Sequence, residues 1–79
     1  MANIKEKRMP EPIISEIRKL TSIATDMDLA GSLRANAIKS MGSIGTRDAL
    51  LALLELAANE SLTINERKLA IKQAERNIK

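Results

Sequence analysis

The sequence predicts an all-α chain, and three observations carry that expectation. Apolar residues recur at spacings of three and four, no stretch alternates apolar with polar in the manner of a strand, and the residues that favour sheets are scarce. Val, Phe, Tyr and Trp are all missing from the 79 residues. The apolar share of 44% consists of 11 Ala, 10 Ile, 10 Leu and 4 Met. Four segments show helical spacing, and most carry a signal at one end or both.

The first segment runs from about Glu11 to Ala24, with Pro10 and Pro12 at its start, where a missing N–H is tolerated. Ile13, Ile17, Leu20 and Ala24 fall on one face, and Ser15, Arg18, Lys19 and Ser22 on the other. The second runs from about Ser32, an N-cap type of residue, to Ser43, and Gly45 suits the left-handed position that ends a helix. The third follows Thr46, another N-cap type, with Asp48 in its first turn, and ends near Ala58. The fourth follows Thr63, where Thr63-Ile64-Asn65-Glu66 fits the capping box, and continues to the C-terminus. Residues 1–10 lack this spacing and are expected to form a mobile tail ahead of a single domain over 11–79.

Composition excludes several classes of chemistry. With no His and no Cys there is no imidazole base, no thiol nucleophile, no disulfide and no soft metal site. Without aromatics there is no platform on which bases stack. Thirteen Lys and Arg against ten Asp and Glu give +3, a mild excess mixed along the chain. The longest stretch free of charged or strongly polar residues, Ala49 to Leu54, falls far short of the roughly 20 residues a membrane span needs. The N-terminus also lacks an apolar core of signal-peptide length, so a cytoplasmic protein is expected. Asp26-Met27-Asp28-Leu29-Ala30-Gly31 opens like a calcium-binding loop, but Ala30 and Ala37 stand where oxygen ligands are required. The three glycines form no phosphate-binding loop, and no pair of acidic residues converges. No catalytic residue, cofactor, metal or small-molecule substrate is expected.

The two halves of the chain match at a shift of 33 residues. Ile17 falls on Leu50, Leu20 on Leu53, Ile23 on Leu56, Ala24 on Ala57 and Leu29 on Leu62. Arg34 falls on Arg67, and Ala37-Ile38-Lys39 on Ala70-Ile71-Lys72. A period of this length holding two helices points to a helical-repeat unit, which buries its apolar face against its neighbour, the alternative being a four-helix domain with coincidental spacing. The units span approximately 11–44 and 46–79.

Leu33-Arg34-Ala35-Asn36-Ala37-Ile38 through Met41-Gly42-Ser43-Ile44-Gly45, followed by Asp48-Ala49-Leu50 and Leu53-Leu54-Glu55-Leu56, resembles HEAT repeats. The resemblance is to the short kind found in phycobilisome-lyase-type proteins, and it covers about residues 13 to 79. It implies two antiparallel helical hairpins, four helices in all, forming a short right-handed α-solenoid. It also implies that an Asp in the turn partners the Arg of the second helix, which here makes Asp28 and Arg34 a structural pair. In the second unit Glu66 replaces the aliphatic residue before Arg67 and Ser61 stands where the turn Asp would be, so the resemblance does not carry that contact over. Chromophore-lyase activity occurs among such relatives, but no catalytic residue of theirs matches this chain.

At 100° per residue, Arg34 sits among Ala37, Ile38 and Met41, and Arg67 lies in the middle of a stripe of Ala70, Ile71, Ala74 and Ile78. A cation within an apolar stripe is expected to pack its stem and bond a turn carbonyl or a carboxylate such as Asp28, in preference to holding an external anion. The third segment is apolar on two sides: Ala49, Leu53 and Leu56 make one face, and Leu51, Leu54 and Ala58 a second. Either the helix is covered on both sides within the monomer or, since two units are fewer than the three a solenoid usually needs, the second face is expected to meet a protein partner or another copy of the chain. The expected function is thus a protein-interaction module or small scaffold. The alternative is weak, sequence-independent binding of a nucleic-acid backbone through Lys68, Lys72, Arg76 and Lys79, which fall on one side of the fourth helix.

Overall fold

The computed structural model describes residues 11–78, with backbone alone for 11–13. Four helices occupy the described residues: α1 (Glu11–Ala24), α2 (Gly31–Ile44), α3 (Arg47–Ala57) and α4 (Ile64–Ile78). No strand occurs among them. The expected tail, the core role of the Ile13 side chain and the phosphate contact assigned to Lys79 lie outside the described residues.

Sequence signals explain three of the helix ends. α2 stops at Gly45, whose φ of 74° is the left-handed conformation that costs glycine nothing. One residue later Thr46 caps α3, its hydroxyl accepting from the Ala49 N–H at 3.1 Å. Thr63 and Glu66 close a reciprocal capping box on α4: the Glu66 N–H donates to Thr63 Oγ1 at 3.1 Å, and the Thr63 N–H to Glu66 Oε1 at 3.0 Å. The start of α2 departs from expectation. Its N-cap is Ala30, in extended conformation and without a side-chain cap, and not Ser32. The N–H groups of Leu33 and Arg34 already close onto the Ala30 carbonyl, at 3.0 and 3.3 Å, so the helix begins before the serine is reached.

The 33-residue correspondence extends to the backbone. α1 and α3 end at Ala24 and Ala57, and α2 and α4 begin at Gly31 and Ile64, the same shift each time. The turns share a set of bonds at this shift. Asp26 N–H donates to the Ile23 carbonyl at 3.2 Å, as Asn59 does to Leu56 at 3.1 Å. Leu29 N–H donates to Asp26 and Leu62 to Asn59, both at 3.1 Å. Each turn is pinned by an Asx bond: Asp26 Oδ1 accepts from the Asp28 N–H at 2.9 Å, and Asn59 Oδ1 from the Ser61 N–H at 2.8 Å.

Each hairpin packs within itself, α1 on α2 and α3 on α4, and the hairpins then stack. The second helices, α2 and α4, meet closely, the first helices, α1 and α3, more lightly, and α1 does not approach α4 among the described residues. Two layers result, α1 with α3 and α2 with α4. Helix α2 touches all three others, and its buried residues, Arg34, Ala37, Ile38, Met41 and Gly42, form one broad face spanning about 140° of the helix. The core is one cluster in which Ile38, Met41, Leu53 and Leu56 are the largest fully buried side chains. Burying each contributes roughly 1.5–3 kcal/mol. Ile17 and Ala24 of α1 join it with Leu20 half-buried, and Ala49, Leu53 and Leu56 of α3 form the expected buried face.

Candidate functional site

The polar centre of the molecule lies between the two units. Arg34, on the first turn of α2, points its guanidinium at Glu66 on the first turn of α4. Nε donates to Glu66 Oε2 at 2.9 Å, and Nη2 lies 2.7 Å from the same oxygen. Nη1 donates to the Leu29 carbonyl at 2.6 Å. Burial alone would raise the Glu66 carboxyl. The Thr63 N–H on its other oxygen and the Arg34 guanidinium outweigh that and hold it below the ordinary glutamate range. Both oxygens and all three guanidinium nitrogens are therefore engaged inside the fold.

The turn pair expected from the resemblance does not form. Asp28 is exposed, and among the described residues Arg34 is bound to Glu66 and to a turn carbonyl. Glu66 is held by the capping box within reach of Arg34, whereas the Asx bond turns the 26–28 segment outward. The expectation of a carbonyl partner holds for both arginines, since Arg67 Nε donates to the Ala57 carbonyl at 2.8 Å. No local signal links residues 34 and 66. A glutamate in a capping box beside an arginine-bearing repeat was the only hint available.

The helical stripe expected on α4 is also corrected. The buried residues are Glu66, Ala70, Gln73 and Ala74, while Ile71 and Ile78 are 44% and 66% exposed. Counting apolar residues alone centres the wheel on Arg67. The helix is instead rotated so that Glu66 meets Arg34, which swings the isoleucines outward.

On α3 the outer face is as the sequence suggests. Leu51 and Leu54 are each 46% exposed and Ala58 is exposed beside them, on the side away from Ala49, Leu53 and Leu56. The cations Lys68, Lys72 and Arg76 are exposed on α4. Lys72 and Arg76 line an open groove of about 420 Å³ together with Gln73 and Glu75, and Arg76 Nη1 donates to Gln73 Oε1 at 3.2 Å. The described residues hold no cluster of three or more acidic side chains able to bind a metal ion, and no helix among them is long and apolar enough to cross a membrane. What the surface offers chemically is apolar area, on α3 and α4 and also at Ile23, Met27 and Leu33, and a short basic edge.

Comparison with family models, with curated proteins and with solved structures finds no match to this chain.

Proposed function

We propose that the chain is a non-enzymatic, cytoplasmic protein-interaction module built from two HEAT-like units, and that it binds a protein partner through the outer face of α3. The observation that carries this reading is the pair Leu51 and Leu54, each 46% exposed on a helix whose opposite face is fully buried. Two leucines a helical turn apart with Ala58 beyond them suit a partner helix laid along α3. The matched turns support the repeat reading, because a shared ladder of turn hydrogen bonds at one fixed shift is what duplicated hairpins retain. Capture with tagged protein tests it. The wild type retains a partner that a Leu51→Glu/Leu54→Glu variant of equal helicity loses. Retention of the same proteins by both, or of none by the wild type, overturns it.

A second reading rests on the groove edged by Lys72 and Arg76. Two or three phosphate contacts there would give weak binding that falls steeply with salt. Its test is retention of duplex DNA at about 50 mM salt, lost in Lys72→Glu/Arg76→Glu. Absence of retention by the wild type removes the reading.

A further inference from the structure

Helix α4 carries a second uncovered apolar line, separate from the α3 face. Ile64, Ile71 and Ile78 stand seven residues apart and are 61%, 44% and 66% exposed. A seven-residue spacing drifts only about 20° per step, so the three share one edge of the helix. At 100° per residue Lys68 and Glu75 lie on one flank of this line, and Arg67 and Ala74 on the other.

Continued stacking of units would be the simplest cover, because Ile38, the counterpart of Ile71, is fully buried beneath α4. Two features oppose it. The close meeting of α2 and α4 depends on Gly42, where a Cβ would fall 1.9 Å from Gln73 Oε1 and 2.9 Å from Gln73 Cβ. The position 33 residues on is Glu75, whose side chain fills the space that this approach requires. A second copy arriving in the same way would also bring Leu33 where the second unit brings Glu66, so Arg67 would meet no carboxylate.

We propose that this line is a self-association surface, on which α4 of a second copy lies antiparallel about a two-fold axis near Ile71. Antiparallel pairing sets Ile64 beside Ile78 of the other copy. A two-fold axis perpendicular to the helices keeps like flanks together, so Lys68 approaches Glu75 of the second copy, and symmetry makes the pair twice. Parallel pairing brings no carboxylate of α4 to Lys68 in this way. The isoleucines supply the attraction and the two rim pairs set the direction. The contact is small, of the weak and reversible class.

Sedimentation equilibrium of the full chain, up to about 1 mM, tests the pairing. The wild type is expected to fit a monomer–dimer equilibrium that closes at the dimer, and Ile71→Lys to stay monomeric with unchanged helicity. Lys68→Glu and Glu75→Lys should each associate more weakly than the wild type. Their equimolar mixture should associate more strongly than either alone, because only the mixed pair sets opposite charges together at both rims. A monomer throughout overturns the proposal while leaving partner binding by α3 standing. Mass that grows past the dimer without limit overturns it in favour of head-to-tail stacking. A mixture no better than its components overturns the antiparallel register. A dimer that survives Ile71→Lys but is lost in Leu51→Glu/Leu54→Glu assigns self-association to α3 instead.

Discussion

Gly42 sits inside α2, where glycine is ordinarily a weakness. Replacing it with alanine removes backbone freedom from the unfolded chain and, on helix propensity alone, should stabilise by about 0.5–1 kcal/mol. Packing reverses the sign. The Gln73 amide, 1.9 Å from where the new Cβ would stand, can rotate away, at the expense of its 3.2 Å bond to Arg76. The Gln73 Cβ, 2.9 Å away, is fixed to the α4 backbone and cannot. Relief then requires the two helices to part, which loosens the contacts of Ile38 and Met41. Gly42→Ala is expected to lower stability by about 1–3 kcal/mol, the usual cost of overfilling a packed site. In a domain of this size each kcal/mol moves the thermal midpoint by roughly 4–8 °C. A midpoint that rises in Gly42→Ala would show that propensity outweighs packing here.

At the scale of elements, the sequence was legible where a capping residue or a purely aliphatic face decides the outcome, and it misplaced the start of α2, which is capped by Ala30 and not by Ser32. Gly45, Thr46 and the Thr63–Glu66 box mark three helix ends through bonds between near neighbours, and the structure contains all of them. The apolar side of α3 was legible because its buried face is purely aliphatic. The buried side of α4 was not, since two polar residues, Glu66 and Gln73, belong to it and an apolar count passes over both. The turns divide in the same way. The shift of 33 residues places Asp26 on Asn59, both side chains that fold back onto their own backbone, yet the resemblance drew notice to Asp28 and Ser61. The bonds at Asp26 and Asn59 make a discriminating test. Asp26→Ala and Asn59→Ala should each cost about 0.5–1.5 kcal/mol, as for the loss of one modest hydrogen bond. Asp28→Ala and Ser61→Ala offer only their backbone N–H to the turn and should stay within about 0.5 kcal/mol of wild type. Urea midpoints of the four variants decide it, and equal losses at 26 and 28 would contradict the Asx assignment.

For the molecule as a whole, the two hairpins are joined by the packing of α2 on α4, by that of α3 on α1 and α2, and by a buried ion pair, Arg34 with Glu66. That pair gives the stack a dependence on pH whose sign follows from the carboxyl. Glu66 lies below its ordinary range in the fold, so the unfolded chain binds its proton more readily than the native one. The stabilisation is fully present above the unfolded value of about 4.3 and is lost as pH falls through the lower native value. Protonation there leaves the Arg34 guanidinium buried with only the Leu29 carbonyl as a strong partner. A charge stripped of its counter-ion in such a site is expected to cost about 3–5 kcal/mol. Glu66→Gln imposes that loss at every pH, so the variant should be much the less stable at pH 7 and lose less on acidification. Urea midpoints from pH 7 down to about 3 measure both curves, and their difference cancels the carboxylates common to the two proteins. The curves should converge below the ordinary glutamate range. If they run parallel to the lowest pH, the ion pair does not couple the two hairpins, and the packing of α2 on α4 and of α3 on α1 and α2 holds the stack together without it.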